Sequence, residues 1–221
     1  MREFFLHKSI TNLNLIKEDL KSKVQDFDNL KIIAVSKTFS IDQILPLIKY
    51  GHLHYGENKV QEAINKWSDV KLEYSDIKLH LIGKLQSNKA KFAVKLFDYI
   101  HSVDNAKIAK KIADEQLKQN KKIKIFIQVN IGDEDQKSGV PKENLNELYS
   151  YCKELQLDII GLMCIPPANI DPNFFFEEMR LLTKKLHLPE LSMGMSSDYL
   201  EAAKNSATYL RIGSKIFGTR D

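Results

Sequence analysis

The segment Lys31-Ile-Ile-Ala-Val-Ser-Lys37 is an apolar, strand-forming run that ends on a lysine. A helical pattern follows over residues 41–50, with Ser40 as its N-terminal cap and Gly51 at its end. This unit of one apolar strand and one helix recurs along the chain, and the recurrence decides the fold. A leading amphipathic helix precedes the first unit, with apolar residues at helical spacing over 10–27.

Seven further strand candidates follow, each with a helix or a helix-like turn after it. They cover residues 52–56, 78–83, 99–103, 124–130, 157–163, 190–195 and 208–212. Near-continuous apolar strands that alternate with helices indicate a parallel sheet covered by helices. Eight such units in 221 residues predict a single-domain (β/α)8 barrel of the TIM type over residues 1–221. An open doubly wound sheet is the alternative.

The composition is that of an ordinary globular protein, with 43% hydrophobic and 28% charged residues. The net charge of +4 is spread along the chain without a dense basic block, so we expect no nucleic-acid partner. The first eight residues are too charged for a signal peptide and no apolar run reaches membrane-spanning length. We therefore expect a cytoplasmic protein without membrane contact. Cys152 and Cys164 make neither a disulfide framework nor a zinc site.

Polar residues and glycines gather where the predicted strands end, and in a (β/α)8 barrel the active site forms at these C-terminal ends. The residues concerned are Lys37, Gly56, Glu57, Asn58, Gly83, Lys84, Gln86, Ser102, Asp104, Asn130, Ser196, Ser197, Arg211 and Gly213. We expect this rim to form a ligand-binding mouth.

The C-terminal stretch Arg211-Ile-Gly-Ser-Lys-Ile-Phe-Gly-Thr-Arg-Asp221 follows the last predicted strand. A glycine-containing turn that opens a helix points free N–H groups outward and lets a ligand approach, so Gly213 and Ser214 indicate an anion cradle. Only four of the 33 basic residues are arginines, and Arg211 places a permanently charged, directional donor at a strand end. The alternative is a turn that only closes the fold.

Lys37 shares its strand face with Ile33 and Val35, which places its amine over apolar side chains inside the barrel. Desolvation there would lower the lysine pKa and favour attack on an aldehyde; the alternative is a lysine reaching into solvent. Strands one and eight are neighbours in a closed barrel, so the amine and the anion cradle would lie together. That pair fits pyridoxal 5'-phosphate (PLP), with Arg211 facing a pyridine nitrogen that it keeps unprotonated.

Five segments carry a resemblance to a known family. They are Ile33-Ala-Val-Ser-Lys37, His54-Tyr-Gly-Glu-Asn58, His80-Leu-Ile-Gly-Lys-Leu-Gln-Ser-Asn-Lys89, Ser192-Met-Gly-Met-Ser-Ser-Asp198 and Arg211-Ile-Gly-Ser-Lys-Ile-Phe-Gly218. In this order they resemble the pyridoxal phosphate homeostasis protein family, which is similar to the N-terminal barrel domain of alanine racemase and to fold type III PLP proteins. The resemblance implies that Lys37 carries PLP as an aldimine and that Arg211 contacts the pyridine nitrogen. It implies phosphate contacts from Ser196, Gly213 and Ser214, with Asn58 and Met163 lining the pocket.

The same resemblance implies a non-catalytic role in intracellular vitamin B6 and amino-acid or keto-acid homeostasis. Alanine racemase also needs a β-rich second domain that supplies a tyrosine base, and this sequence ends at Asp221. The residues after Lys37, Thr-Phe-Ser-Ile, lack the phosphate-binding tyrosine of the racemases. We therefore expect a monomeric PLP carrier or regulator, with PLP-dependent apoenzymes as partners, rather than an enzyme. The alternatives are a PLP-dependent amino-acid racemase or decarboxylase, and a barrel enzyme whose Lys37 forms a Schiff base with a sugar phosphate.

The histidines in the strands allow two further expectations. His52 and His54 have the His-x-His spacing of barrel hydrolases, but no aspartate stands at the end of strand eight, so we expect no metal site. His80 and His101 lie within strands, and we expect them to be packed, hydrogen-bonded imidazoles.

Overall fold

Eight parallel strands close into a barrel in chain order, from β1 beside β2 round to β8 beside β1. The computed structural model describes residues 6–134 and 136–219; Arg220 and Asp221 of the C-terminal stretch lie outside them. The strands are β1 (Lys31–Val35), β2 (His54–Glu57), β3 (Lys78–Leu81), β4 (Tyr99–Val103), β5 (Lys124–Val129), β6 (Asp158–Cys164), β7 (Glu190–Ser192) and β8 (Tyr209–Ile212). The predicted (β/α)8 fold is confirmed.

One leading helix precedes β1 and the other helices follow the strands, as the alternating pattern predicts. They are α1 (Lys8–Lys23), α2 (Ile41–Lys49), α3 (Val60–Glu73), α4 (Ala90–Leu96), α5 (Ala106–Gln119), α6 (Leu145–Glu154), α7 (Asn173–Lys185), α8 (Tyr199–Lys204) and α9 (Ser214–Phe217). At α2 the Ser40 N–H donates to Gln43 Oε1 at 2.9 Å, and Gly51 has a φ of 93° just past the end. No helix among the described residues has the length and apolar character needed to span a membrane.

Several predicted boundaries differ from the structure, and local contacts explain the differences. The leading helix ends at Lys23 rather than continuing to Phe27, and a short 3-10 turn follows over Phe27–Asn29. β1 stops at Val35 because the next residues turn away, with Thr38 at a φ of 70°. β7 stops at Ser192, since Gly194 adopts a φ of 85°. Isolated residues of positive φ break an extended ladder.

The strand register sorts the inward side chains into layers of four, contributed in turn by odd and even strands. From the N-terminal end, the first layer is Lys31, Lys78, Lys124 and Glu190, and the second is His54, Tyr99, Ile160 and Tyr209. The third is Ile33, His80, Phe126 and Ser192, and the fourth is Gly56, His101, Met163 and Arg211. The barrel is therefore filled by polar as well as apolar side chains, and its C-terminal mouth lies above the fourth layer.

Helix α1 joins the beginning and the end of the described chain. Asn12 Nδ2 donates to the Ile216 carbonyl in α9 at 2.9 Å, and the Tyr199 hydroxyl in α8 donates to Asp19 Oδ2 at 2.6 Å. The leading helix thus supports the two short helices that flank β8, and with them the segment that begins the predicted anion cradle.

Candidate functional site

A cavity of about 630 Å³ opens at the C-terminal ends of the strands. Its lining residues are Val35, Lys37, Asn58, Ile82, Ile165, Met195, Ser196, Ser197, Arg211, Gly213, Ser214 and Thr219. A second cavity of about 610 Å³ lies at the opposite end, beside Lys31 and Glu190. The two are similar in volume, so side-chain chemistry distinguishes them. Six of the seven residues predicted to bind a cofactor line the first.

The backbone on both sides of Lys37 is fastened to helix α3. Lys66 Nζ donates to the Ser36 carbonyl at 2.9 Å, and the Thr38 N–H donates to Glu62 Oε1 at 2.6 Å. Thr38 has a φ of 70°, a strained conformation that persists where surrounding contacts fix it. These contacts hold the half-buried Lys37 at the cavity wall.

Glu57 supplies the buried anchor of this arrangement. Its Oε1 accepts hydrogen bonds from the Ser36 hydroxyl at 2.7 Å, Trp67 Nε1 at 2.9 Å and Lys66 Nζ at 3.0 Å. A fully buried carboxylate is stable only when paired and hydrogen-bonded in this way. Glu57 was expected at the rim, but its carboxylate points to α3, away from the cavity lining. We call Glu57, Glu62 and Lys66 the α3 clamp.

Arg211 is buried, with only 4% of its surface exposed, yet it lines the cavity. Its Nη1 donates to the Ser192 hydroxyl oxygen at 2.8 Å and its Nη2 to the Cys164 carbonyl at 2.7 Å. Burial lowers the pKa of the guanidinium, while Cys164 and Asp198 act in the opposite direction. Arginine remains protonated in proteins, so the site carries a fixed positive charge with a fixed orientation.

The segment after β8 directs backbone donors toward one hydroxyl. The N–H groups of Gly213 and Lys215 donate to Ser196 Oγ at 3.3 and 3.4 Å. Gly213 packs on β1, and a side chain there would lie 3.3 Å from the Val35 Cβ. Ser196, Gly213 and Ser214 all line the cavity, so hydroxyl and amide groups lie together there, which is the chemistry that an anion requires.

Asn58 completes this group from the other side of Lys37. Its Oδ1 is buried and has no hydrogen-bond partner among the residues that the structure describes. Gly83 makes the local packing possible, because a Cβ at that position would lie 2.3 Å from the Asn58 carbonyl oxygen. A buried, unpartnered acceptor in a cavity wall points to a ligand that supplies the donor.

Three imidazoles lie in hydrogen-bond contact, from His101 in the layer of Arg211 down to His54 in the second layer. His54 Nδ1 is 2.9 Å from His80 Nε2, His80 Nδ1 is 2.9 Å from His101 Nε2, and His101 Nδ1 is 2.9 Å from Ser192 Oγ. We call these three residues the histidine file. Burial is the largest cause that lowers the pKa of each: to about 4 for His54, and well below the ordinary value for the fully buried His80 and His101. The file is therefore neutral at physiological pH.

The remaining titratable candidates serve the packing. Both cysteines are free and buried, and burial raises the pKa of the Cys152 and Cys164 thiols to about 12. His52 Nε2 contacts the His54 carbonyl oxygen at 2.9 Å rather than sharing a ligand with the His54 ring. Within residues 6–134 and 136–219, no group of three or more His, Cys, Asp or Glu side chains is placed to hold a metal ion.

Comparisons with known proteins fix the family. The family model for the alanine racemase N-terminal domain matches residues 11–221. The pyridoxal phosphate homeostasis protein of Aquifex aeolicus (strain VF5) is 38% identical over 200 residues, covering 86% of this chain and 87% of that protein. The chain belongs to the pyridoxal phosphate homeostasis protein family. The resemblance carried by the five motifs is confirmed.

Solved structures show how far the likeness to this family extends. PipY of Synechococcus elongatus PCC7942, with PLP bound, is 33% identical with a TM-score of 0.85, covering 95% of this chain and 100% of that one. Alanine racemase of Clostridium difficile 630 is 14% identical with a TM-score of 0.74, and the match covers 96% of this chain and 57% of that one. The second likeness shows a shared barrel fold.

The structure places Met163, which the family resemblance implied as a lining residue, in the fourth layer of the barrel. It lies in a buried cluster with Ile33, Phe126 and Tyr209, beneath the cavity. Ile165, two residues further along the chain, lines the cavity instead. Ile82, which was not predicted, also lines the cavity, as does Met195, for which the sequence favoured a place in the core. Extending the inward alternation two residues beyond His80 and Met163 would have found the two isoleucines.

Proposed function

We propose that this chain binds PLP in the C-terminal cavity, on Lys37, and acts in intracellular PLP and amino-acid or keto-acid homeostasis without turnover. The observation that carries the proposal is the meeting of three groups in one cavity: a held lysine, a buried arginine and a cluster of anion donors. PLP carries an aldehyde, a pyridine nitrogen and a phosphate, so each group has a chemical counterpart. The PLP-bound relative supports the assignment.

The residues present fit this cofactor. Ser196, Gly213 and Ser214 would receive the phosphate, since all three line the cavity and the Gly213 N–H donates to the Ser196 hydroxyl there. Asn58 would contribute its unpartnered Oδ1 beside the ring, and Met163 would support the floor from the layer below. Lys37 would hold the cofactor by condensing its Nζ with the aldehyde carbon, which forms a carbon–nitrogen double bond and releases water.

Arg211 argues for storage over catalysis. When bound, PLP supplies an aldehyde that condenses with amines and a ring that withdraws electrons from them. The withdrawal is strongest when the pyridine nitrogen is protonated, and a permanently charged guanidinium keeps that nitrogen unprotonated. Because its described hydrogen bonds go to the neutral oxygens of Ser192 and Cys164, Arg211 keeps its positive charge at the cavity wall. We infer a carrier or regulator that works as a cytoplasmic monomer and supplies PLP-dependent apoenzymes.

Trapping experiments test the proposal. The purified chain, mixed with PLP, should turn yellow and lose the colour on borohydride reduction, and peptide mapping should place the reduced adduct on Lys37. Lys37→Ala should remove that adduct. Lys84→Ala is the matched control, because Lys84 is an exposed lysine after β3 at the same rim. A chain that takes up no PLP, or adducts spread over surface lysines, would contradict the assignment.

The same samples discriminate the alternatives. Each amino acid is incubated with the loaded chain, and racemisation and decarboxylation are followed by chiral chromatography and carbon dioxide release. Turnover that disappears in Lys37→Ala would replace the carrier by an enzyme. If the protein does not bind PLP and borohydride traps a sugar phosphate on Lys37, the result would favour the alternative of a barrel enzyme that works without PLP.

A further inference from the structure

Arg211 is a buried cation whose two described hydrogen-bond acceptors, Ser192 Oγ and the Cys164 carbonyl, are both neutral. A buried charge is costly unless oriented dipoles or a counter-charge stabilise it. Asp198 supplies a counter-charge that raises the pKa of the arginine, and the histidine file contacts Arg211 through Ser192. The electrostatic balance of the arginine therefore depends in part on which way the groups of the file donate.

The contacts select one direction. Ser192 Oγ accepts from Arg211 and has one hydrogen to give, and His101 Nδ1 is its other contact among the described residues. The hydroxyl therefore donates to His101 Nδ1, and the neutral ring carries its proton on Nε2. That proton points to His80 Nδ1, and by the same rule the proton on His80 Nε2 points to His54 Nδ1. The reverse direction would leave the serine hydrogen without an acceptor.

This direction also favours the cation. Every O–H and N–H bond in the chain then points away from Arg211, and every lone pair points toward it. Successive hydrogen bonds of one sense polarise each other in a low-dielectric interior. The rings are held in place by stacking: His80 on Tyr99 and His101 on Phe126, each with ring centroids 4.2 Å apart.

Burial is the largest cause that keeps the file neutral, and positively charged groups near its two ends act in the same direction. His54 lies in the second layer, next to the first-layer lysines. Lys31, Lys78 and Lys124 all disfavour a proton on His54, and Asp98 acts in the opposite direction. Arg211 disfavours a proton on His101 from the other side. The file therefore acts as a set of dipoles rather than a carrier of charge, and the Ser192 contacts set its direction, because positive charge lies at both ends.

We propose that Ser192, His101, His80 and His54 form one oriented hydrogen-bond chain that positions Arg211 as a cation at the cavity. They are positioning residues for the contact between Arg211 and the PLP ring nitrogen, a contact that rests on the proposed function. These hydrogen bonds extend the site through the barrel interior, from the mouth to the second layer.

The first test needs no cofactor. The side-chain nitrogens of the six histidines are observed by nitrogen-15 NMR in the cofactor-free protein between pH 7.5 and 5.5, with single-histidine variants for assignment. We expect His54, His80 and His101 to be neutral, with the proton on Nε2 throughout. A proton on Nδ1, or an imidazolium at His80 or His101, would overturn the proposal.

The second test uses matched variants in the PLP-loaded protein. Ser192→Ala removes the link to Arg211 and Ser192→Thr restores a hydroxyl; His80→Phe breaks the file but keeps a ring to stack, and Tyr99→Phe alters its stacking partner outside the file. We expect Ser192→Ala to raise the PLP dissociation rate constant about tenfold or more, as for loss of a hydrogen bond to a charged group. We expect His80→Phe to raise the same rate constant by a smaller factor, because it breaks the file two contacts away from Arg211. Both variants should also shift the pH titration of the visible absorbance, whereas Ser192→Thr and Tyr99→Phe should do neither.

The outcomes separate the two proposals. A wild-type chain that takes up no PLP contradicts the proposed function, and the NMR measurement still decides the orientation of the file. If the protein takes up PLP and all four variants release it at the same rate, the proposal for the file is overturned and the proposed function stands. The same conclusion follows if Tyr99→Phe raises the PLP dissociation rate constant as much as His80→Phe does. If His80→Phe fails to fold by circular dichroism, the Ser192 pair decides.

Discussion

Lowering the pH from 7.5 to 5.0 should destabilise this protein through histidines that stay neutral when folded. Burial holds the pKa of His80 and His101 well below the ordinary value of 6.5. Below pH 6.5 the imidazoles of His80 and His101 bind protons in the unfolded chain but not in the folded chain. The free energy of unfolding therefore falls as the pH falls. The contribution of these rings is fully present above pH 6.5 and lost below it.

The magnitude follows from the proton count. Each ring locked in the neutral form costs about 1.4 kcal/mol per pH unit below the unfolded value, or about 2 kcal/mol at pH 5.0. His80 and His101 together lose about 4 kcal/mol, a large share of a typical stability of about 5–15 kcal/mol. The half-buried His54 and His52 act in the same direction, because burial lowers their pKa to about 4 and about 3. Carboxylates titrate mostly below this window.

Urea unfolding measures this loss, with the buried Trp67, the single tryptophan of the chain, as the fluorescent reporter. With an m-value on the order of 3 kcal/mol per molar, the loss of about 4 kcal/mol from His80 and His101 alone lowers the midpoint by about 1.3 M, and His52 and His54 increase this shift. His80→Phe should reduce the pH slope by about 1.4 kcal/mol per unit, and Tyr99→Phe should leave it unchanged. A midpoint that stays constant from pH 7.5 to 5.0, or a slope that His80→Phe does not change, would refute the neutral file.

Two substitutions test the packing around the site by thermal and urea unfolding. Glu57→Ala removes the acceptor of Lys66 and Trp67, and breaking a buried ion pair should cost about 3–5 kcal/mol; a loss below 1 kcal/mol would show that solvent screens the clamp. Gly194→Ala places a Cβ 2.5 Å from the Ala202 Cβ at a φ of 85°, so we expect a loss of about 2–4 kcal/mol. Unchanged stability would contradict the close packing of the segment after β7 on α8.

The fold was predictable because its signal repeats. Each strand is short and apolar, each is followed by a helix, and eight units leave few topologies for a parallel sheet. The ends of the strands were less predictable because they depend on contacts between distant residues. Ser36 leaves the sheet toward Glu57, and neither its sequence neighbours nor its propensity indicates that partner.

The candidate site was predictable in part for the same reason. Lys37, Ser196 and Arg211 follow or end strands, and in a parallel barrel strand ends converge. The α3 clamp and the histidine file were not predicted. The direction of Glu57 depends on how α3 packs, and contact between His54, His80 and His101 depends on the relative height of three strands. The three histidines are separated by 26 and 21 residues in the sequence, and these separations do not indicate the relative height of the strands.

The stagger of the strands has a consequence for engineering such barrels. His80 lies two residues above Lys78, the partner of His54, and His101 lies two residues above Tyr99, the partner of His80. Each histidine ring therefore lies on the next strand and one layer closer to the C-terminal mouth than the ring before it. To build a buried row of hydrogen-bonded side chains in another eight-stranded barrel, we would place one histidine on each of successive strands, each one layer above the last. The shear of the closed sheet then brings their side chains together.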